Sequence, residues 1–305
     1  MPGEVRQHAR HGGRYDVVHT SSFPYFSLLA TALLRPMRHY GLVVDWFELW
    51  SRAYWRSYLG AAGGRIGWAV QALCLRVPQR AFCFAQLTAA RLREAGLRGP
   101  VTVLDGAWTG PLEPRGPAPA EPLVVFAGRH IPEKRAPAVV GAVGSARRVL
   151  PDLRGRILGD GPERPLVLAA IASEGLEGVV EAPGFVSAET VQADLARALC
   201  LVLPSSREGY GLVVVEACSR GTPVVVVAAE DNAAVELVEP GVNGFVAPTA
   251  GAADLAAAIE RVHAGGPGLR ASTASWFAAN AQRLSLGASL ARVAEAYAAA
   301  EKASH

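Results

Sequence analysis

Pro204–Glu216 reads PSSREGYGLVVVE and decides the fold class of this 305-residue chain. The apolar run before it predicts a strand that ends at Pro204, and the residues after it predict a helix that begins near Leu212. The loop between them contains Gly209 and Gly211, and glycines let a phosphate approach the backbone closely. The N–H groups and the dipole of the helix N-terminus would point at the same place. The stretch therefore predicts an anion site beyond the carboxyl end of a strand in a parallel α/β sheet.

Glu208 and Glu216 lie on either side of this loop, eight residues apart. Because eight residues make about two helical turns, both carboxylates are expected to face the same crevice. Two glutamates at this spacing are common on a solvated helix face, which is the simpler interpretation of the pair taken alone. The glycines between them favour a ligand site.

A second candidate segment is Phe126–Lys134, FAGRHIPEK, in which a predicted strand ends at Gly128. Arg129 and Lys134 follow the strand. Two such cations could clamp a diphosphate, the arginine by its planar fork and the lysine as a point charge. A buried diphosphate needs this charge compensation. Taken alone, the segment is more typical of a surface loop that precedes a helix.

The segment Leu158–Glu163, LGDGPE, is a third candidate, because its two glycines allow close approach near a strand end. It is not a dinucleotide fingerprint, since Arg164 stands where GxGxxG requires its third glycine. Gly184–Val186 and Gly241–Phe245 are each explained as turns when read alone.

Short apolar runs alternate with longer amphipathic segments along most of the chain, which is typical of βα units in a parallel sheet. Strands are predicted at Tyr15–His19, Leu42–Asp45, Ala81–Ala85, Val101–Leu104, Leu123–Ala127, Gly155–Leu158, Val179–Glu181, Cys200–Leu203 and Pro223–Val227. Helices are predicted near residues 24–35, 50–76, 87–95, 134–149, 164–174, 187–198, 252–264 and 286–302. The near-continuous apolar strands indicate that both sheet faces are covered.

Pro111–Pro122 interrupts this rhythm with five prolines and predicts an interdomain linker. We therefore expect a partial N-terminal domain over 1–111, a linker over 112–122 and a C-terminal domain over 123–285. A helix over 286–305 is expected to pack back towards the N-terminal domain. The chain length also fits two domains.

The four cysteines, Cys74, Cys83, Cys200 and Cys218, lie in apolar runs without a CxxC pair or a nearby histidine. They are expected to be reduced core residues rather than zinc ligands. Residues 1–14 are polar and basic, which does not fit a signal peptide, and no uncharged apolar stretch reaches the length of about 18 residues that spans a bilayer. These features predict a cytoplasmic protein.

The charge is unevenly distributed, because residues 1–105 carry thirteen Arg and six Asp or Glu, a net charge of +7 in a chain of +3. A basic N-terminal part could face an anionic acceptor or a membrane surface, although a solvated face is the simpler interpretation. Trp46–Trp68 is rich in Trp, Tyr and Arg and leaves three interpretations open: an interfacial helix, a core helix or the wall of an acceptor pocket. Stacking on single-stranded nucleic acid is disfavoured, because the rest of the chain is acidic on balance.

Together these motifs resemble the retaining glycosyltransferases of family 4, over about residues 120–300 and more loosely over 15–110. The resemblance rests on the order and spacing of elements that are individually weak. They are Gly128-Arg129-x4-Lys134, the GDGP turn at Gly159–Pro162, the GFV turn at Gly184–Val186, the Glu-x7-Glu motif, the strand entry at Gly221–Val224 and a GVNGFV hairpin at Gly241–Val246. The resemblance implies an α/β fold of two Rossmann-like domains, the GT-B fold. The N-terminal domain is expected to be incomplete, since a full member begins with a strand and a Gly-rich loop and neither precedes Tyr15.

The resemblance also implies roles for particular residues. Arg129 and Lys134 would hold the donor diphosphate, Glu208 would contact the donor sugar, and Glu216 would accept hydrogen bonds from the ribose hydroxyls. The remaining donor contacts are implied for Gly128, Gly159, Phe185 (whose backbone would read the base), Gly209, Tyr210, Gly211, Leu212 and Val213. No cofactor and no metal are implied, because Arg, Lys and the helix N-terminus would stabilise the charge of the leaving diphosphate.

The implied activity is transfer of a sugar, with retention of configuration, from a UDP or GDP donor to a hydroxyl of a glycan, lipid-linked or small-molecule acceptor. A lipid-linked acceptor would bring peripheral membrane contact. Two alternatives stay open. A non-catalytic remnant would bind the donor without transfer, and a GT-B nucleotide-sugar epimerase would release a 2-epimer without any acceptor.

Two positions of the N-terminal part bear on the acceptor side. The family commonly has a histidine after the strand equivalent to Leu42–Asp45, and Phe47 appears at that position in this chain, so its hydrogen bond to the donor sugar would be lost. His19 matches another family histidine. Contact with the acceptor and a position in the core both stay open as its role.

Overall fold

The computed structural model describes residues 15–113 and 119–302, with side chains to residue 299. The chain divides into two compact units, with boundaries after Gly106 and after Ser285. The C-terminal helix belongs to the same unit as the N-terminal strands. The domain limits predicted above stay a proposal, since residues 114–118 of the predicted linker lie outside the described residues. The expected incompleteness of the first domain concerns the chain before Tyr15, which is also outside them.

The first unit is built on a parallel four-stranded sheet with the order β1-β2-β3-β4. Its elements are β1 (Val17–Ser21), α1 (Phe26–Arg38), β2 (Gly41–Asp45), α2 (Arg52–Leu75), β3 (Arg80–Cys83), α3 (Gln86–Glu94), β4 (Val101–Val103) and, from the chain end, α9 (Leu286–Lys302).

Alternate residues of these strands enter two different cores, as the two-residue period of a strand requires. Leu42 and Val44 join a cluster with residues of α1, α2 and α3, such as Leu28 and Cys74. Val43 and Phe82 join a second cluster against which residues of α9 pack. Helices α1 to α3 therefore cover one face of the sheet, and α9 lies on the other.

The second unit is built on a parallel six-stranded sheet with the order β12-β10-β8-β5-β6-β7. Its main elements are β5 (Leu123–Ala127), a 3-10 turn (Pro132–Lys134), α4 (Pro137–Ala146), β6 (Arg154–Leu158), α5 (Arg164–Ser173), β7 (Val180–Gly184), α6 (Ala188–Arg197), β8 (Cys200–Leu203), α7 (Leu212–Cys218), β10 (Val224–Val227), β12 (Gly244–Ala247) and α8 (Ala252–Leu284). A separate pair of two-residue strands joins β9 (Arg207–Glu208) to β11 (Asp231–Asn232).

The central strands of the second unit are apolar without interruption because helices cover both of their faces. All four residues of β8 and of β10 are buried. The predicted limits of β5 and β8 are confirmed, whereas β1 begins two residues later than predicted. The interpretation of the four cysteines as core residues is also confirmed, since all are free and buried.

Two predictions about local structure were wrong, and one helical segment was missed. The GVNGFV segment is not a hairpin: Gly244–Ala247 forms β12, which pairs in parallel with β10 at the edge of the sheet. The helix predicted near 252–264 meets a break at Gly266, where φ is +50°, and the segment that was missed continues α8 from there to Leu284. The helix predicted at 134–149 begins only at Pro137, which leaves Lys134 in the preceding turn.

Within the described ranges, no helix combines the length and the hydropathy that a bilayer crossing requires.

Candidate functional site

Three loops are joined at the carboxyl edge of the second sheet, after β5, β6 and β7. The His130 N–H donates to the Asp160 carbonyl (2.8 Å), and the Gly159 N–H donates to the Gly184 carbonyl (2.9 Å). Gly159 has φ +119°, and a Cβ atom there would stand 1.9 Å from the Gly128 carbonyl oxygen. Only glycine allows this approach, because another residue would be strained and would clash.

The joined loops enclose a pocket of about 280 Å³. Gly128, Arg129, Gly159 and Phe185 all line it, so the structure brings together four of the predicted site residues. Asp160, which the sequence analysis did not name, lines the same pocket. Phe185 is 86% exposed and lines the pocket together with Val186 of the same turn. Arg129 is exposed, and its guanidinium contacts no hydrogen-bond acceptor among the described residues.

Lys134 and Glu208 form an ion pair between two loops of this edge. Lys134 Nζ donates to Glu208 Oε1 over 2.5 Å, and their side chains are only 17% and 10% exposed. Ser205 Oγ donates to the same carboxylate oxygen over 2.9 Å. The loops follow β5 and β8, which are neighbours in the sheet, so residues 74 positions apart in sequence meet. This partly buried pair keeps a cation and a carboxylate at the edge where the sequence predicts the anion site.

The two-turn argument for the glutamates was wrong. Glu208 lies in β9, paired with Asn232 of β11, and the helix begins only at Leu212. Among the described residues no hydrogen bond joins Glu216 to Glu208 or to Lys134. The two glutamates therefore lie on a strand and on a helix, rather than on one helical face.

The start of α7 has the geometry that the glycines predicted. Gly211 has φ +97° and caps the helix, and a Cβ atom there would stand 2.7 Å from Ala234 Cβ. The first turn of a helix leaves its N–H groups without intrahelical acceptors, so those of Leu212 and Val213 are available to a ligand. Leu212 is 40% exposed, which leaves this turn accessible to solvent. Gly209 and Tyr210, the remaining predicted residues of the loop, are partly buried.

Polar residues that the sequence analysis missed support this loop. Asn232 is fully buried and donates to the carbonyls of Val227 and Ser205 over 2.8 and 3.2 Å. The buried Arg207 pairs with Asp231 over 2.6 Å. Ser205 and Arg207 lie within the PSSREGYG stretch, so the sequence already placed them in the predicted loop. Their partners in β11 could not be predicted, because the pairing of β9 with β11 has no local signal in the sequence.

Glu216 is half-buried on α7, and burial raises the pKa of its carboxyl above the ordinary value of 4.5, opposed by the positive charge of Arg220. The folded protein therefore keeps this proton to higher pH than the unfolded chain. As a result, the free energy of unfolding falls as the pH rises from 4.5 through the raised pKa.

We expect Glu216→Gln to remove this loss, because glutamine carries no charge. The free energy of unfolding of the variant, relative to the parent, should grow from pH 4.5 to neutral pH. Urea unfolding of both proteins at the two pH values measures the difference. Glu177→Gln, which makes the same chemical change at an exposed glutamate, is the matched control. A difference for Glu216→Gln that does not change with pH would contradict the raised pKa of this carboxyl.

In the first unit, His19 is the middle residue of β1, and both of its ring nitrogens have partners. Nε2 donates to Asp45 Oδ1 over 2.8 Å, and Nδ1 accepts from the Tyr297 hydroxyl over 2.6 Å. The pairing with a carboxylate assigns the proton to Nε2. His19 is not a fully buried core residue, because a quarter of its side chain is exposed, and contact with the acceptor stays a prediction. Phe47 is half exposed, and its ring stacks on that of Phe84 with the ring centres 5.4 Å apart. Its side chain supplies no hydrogen bond, because a phenyl ring has no donor group.

The described residues contain no group of three or more His, Cys, Asp or Glu side chains that could hold a metal ion.

Comparison with known proteins gives one family. The model of the family described as "Glycosyl transferases group 1" matches residues 113–276, more than half of the chain. Alpha-D-kanosaminyltransferase of Streptomyces kanamyceticus is 33% identical over 141 residues, which are 46% of this chain and 36% of that protein. D-inositol 3-phosphate glycosyltransferase of Nocardioides sp. is 36% identical over 155 residues, which are 46% of this chain and 33% of that protein. The matches thus span about a third of the length of these curated relatives.

Solved structures of similar fold include HepE of Anabaena in complex with UDP, with a TM-score of 0.80, 22% identity and coverage of 97% of this chain and 82% of HepE. Sucrose-phosphate synthase of Thermosynechococcus elongatus has a TM-score of 0.81, 22% identity and coverage of 97% of this chain and 77% of the synthase. At this identity the likeness shows the fold alone, and the fold is the α/β GT-B arrangement expected from the sequence.

Proposed function

Since the chain belongs to the glycosyl transferases group 1 family, we propose that it transfers a sugar from a nucleotide-diphosphate donor to an acceptor hydroxyl with retention of configuration. The observation that carries this proposal is the ion pair of Lys134 with Glu208 at the carboxyl edge of the second sheet. It stands on the same sheet edge as the pocket lined by Gly128, Arg129 and Gly159. Crevices at this edge of open α/β sheets bind nucleotides.

The donor diphosphate would be held by charge and by backbone groups. Arg129 and Lys134 would neutralise its oxygens, the lysine from a position fixed by Glu208. The N–H groups of Leu212 and Val213 would add hydrogen bonds. The backbone around Phe185 would read the base. Glu216 would accept hydrogen bonds from the ribose hydroxyls, and Glu208 would contact the sugar. UDP or GDP is the proposed carrier, and HepE, a structural neighbour, is described in complex with UDP.

The proposed chemistry consists mainly of stabilising the leaving group. The bond between the anomeric carbon and the diphosphate oxygen breaks. The acceptor oxygen attacks the anomeric carbon from the face that the diphosphate leaves. The acceptor proton passes to the departing diphosphate, so no enzymic base or nucleophile is required. Donors of charge-assisted hydrogen bonds that are fixed in advance lower this barrier without a metal ion.

A transfer assay with UDP- and GDP-sugars and a panel of glycan, lipid-linked and small-molecule acceptors tests the proposal. We expect one donor to give a product whose anomeric configuration, read by NMR coupling, equals that of the donor. An inverted product would contradict retention. Donor binding with neither sugar transfer nor slow hydrolysis of the donor would instead indicate a non-catalytic remnant. A 2-epimer of the sugar formed without acceptor would indicate an epimerase.

A further inference from the structure

A second pocket of the second unit lies at the amino edge of its sheet, opposite the edge of the proposed donor site. Pro122, Leu199 and Pro223 line it, and they immediately precede β5, β8 and β10, which are neighbouring strands. Helix α8 lines the pocket from Val262 to beyond the break at Gly266. None of the residues proposed to bind the donor lines this pocket. It is therefore a separate feature of the unit, which we call the amino-edge pocket.

The amino-edge pocket has the size and the lining of a small-molecule site. Its volume is about 570 Å³, within the range of roughly 300–1,000 Å³ that is usual for ligand pockets. Four prolines and the buried side chains of Leu199 and Val262 form much of its wall. An apolar ligand body fits such a wall, because both surfaces leave water when they meet.

One cation of this wall has no counter-charge. Arg270 lines the pocket and is only 5% exposed. Its Nη1 and Nη2 donate to the carbonyls of Ala198 and Ala196 over 2.6 and 2.9 Å, and its buried Nε has no acceptor among the described residues. No carboxylate of those residues pairs with it, and burial lowers the pKa of its guanidinium below the ordinary value. A buried charge without a partner of opposite sign is costly.

Capping of a helix explains only part of this arrangement. The Ala196 carbonyl belongs to the last turn of α6 and the Ala198 carbonyl to its C-cap, where the helix dipole favours a cation. A guanidinium has five N–H donors, however, and the two carbonyls accept from only two of them. The other donors are left for a further acceptor.

The acidic residue of the wall does not supply this acceptor. The Glu121 carboxylate pairs with Arg197 over 2.7 Å and with Arg154 over 3.0 Å. Its charge is therefore already compensated by two cations, whereas the charge of Arg270 is not. The amino-edge pocket thus combines an apolar wall with one uncompensated positive charge.

We propose that the amino-edge pocket binds a small organic carboxylate with an apolar body. The carboxylate accepts hydrogen bonds from the N–H groups of Arg270 that the two carbonyls leave free. The apolar body lies against Leu199, Val262 and the prolines of the wall. Because the pocket and the proposed donor site lie at opposite edges of the sheet, the carboxylate and a nucleotide bind without excluding each other.

Calorimetric titration of the full chain with phenylbutyrate tests the proposal, with phenylbutanol and acetate as matched ligands. We expect saturable one-to-one binding of phenylbutyrate. Phenylbutanol lacks the charge and should bind at least about tenfold more weakly, the loss expected for a hydrogen bond to a charged group. Acetate lacks the apolar body and should also bind at least about tenfold more weakly. An excess of UDP or GDP should leave the affinity for phenylbutyrate unchanged.

Two variants locate the ligand. Arg270→Gln removes the charge and should weaken binding of phenylbutyrate at least about tenfold, with little change for phenylbutanol. Because Arg270 also bonds two carbonyls, thermal unfolding must show that this variant is folded. Ala120→Trp fills part of the pocket from an exposed position and leaves Arg270 in place, and it should weaken both ligands. Ala172→Trp is its matched control, since Ala172 is exposed on α5 and does not line the pocket.

The proposal is overturned if the parent binds phenylbutyrate no more tightly than phenylbutanol, or if UDP or GDP displaces it. It is also overturned if folded Arg270→Gln binds phenylbutyrate as the parent does. Should Arg270→Gln not fold, Ala120→Trp decides. Binding at least about tenfold weaker than that of Ala172→Trp supports the proposal, and equal binding by these two variants overturns it.

Discussion

Replacing either Lys134 or Arg129 by alanine should weaken binding of a nucleoside diphosphate by about 1.5–3 kcal/mol, the range for hydrogen bonds to a charged group. Both cations belong to the loop after β5, and the proposed diphosphate is held between them and the start of α7. The loss corresponds to a dissociation constant about 10 to 150 times larger. Calorimetric titration of each variant with the nucleotide that the parent binds gives the measurement.

Arg148→Ala is the control for these variants, because Arg148 is an exposed arginine of the second unit just beyond α4, at the other end of the helix from Lys134. It removes the same charge and should leave the affinity unchanged. Lys134→Ala also leaves Glu208 without its cation, so its thermal unfolding must be compared with that of Lys134→Arg, which keeps the charge. Unchanged affinity in both alanine variants would contradict the assignment of the diphosphate to this loop.

Gly159→Ala should lower the free energy of unfolding by more than about 2 kcal/mol, because backbone strain and steric overlap each cost about 1–3 kcal/mol. The strain comes from φ +119° at Gly159, and the overlap comes from the Gly128 carbonyl, 1.9 Å from the added Cβ. The loops that enclose the pocket would have to separate, so nucleotide binding should weaken as well.

Gly178→Ala separates the two causes. Gly178 also has a positive φ, +77°, but no atom lies within 4 Å of an added Cβ. Only strain remains there, and it costs about 1–2 kcal/mol. Urea unfolding of both variants measures the two losses. Equal losses would contradict the close approach of the loops after β5 and β6.

Elements whose signal is local could be predicted from the sequence. Leu123–Ala127 and Cys200–Leu203 are uninterrupted apolar runs between polar or turn-forming residues, so their limits as buried strands followed directly. The start of α7 was predicted equally well, because Gly211 marks the turn before it. In these segments the residues that specify the structure are neighbours in the chain.

Elements that depend on distant partners could not be predicted in the same way. Gly241–Val246 has the composition of a turn, and only its parallel pairing with β10 makes part of it a strand. Gly266 and Pro267 do break the helix, as the local sequence indicates, but the segment that follows to Leu284 was not predicted, and its Leu269 and Phe277 are buried. Tertiary packing overrides the local signal only in Gly241–Val246.

The candidate site shows the same division. Gly159 and Gly211 could be named from the sequence, because their positions at a strand end and a helix start leave no room for a side chain. The contact of Lys134 with Glu208 could not, since 74 residues separate them and the pairing requires the order of the sheet. The sequence thus predicted the groups of the site, and the structure supplies the contacts between them.

The most direct test of the account is a calorimetric titration of the purified chain with UDP, GDP and ADP. We predict saturable, one-to-one binding of one of them, UDP or GDP, in preference to the other two, and its loss in Lys134→Ala. No binding of any of the three to chain that unfolds cooperatively, and is therefore folded, would contradict the central claim that this sheet edge is a nucleotide-sugar site.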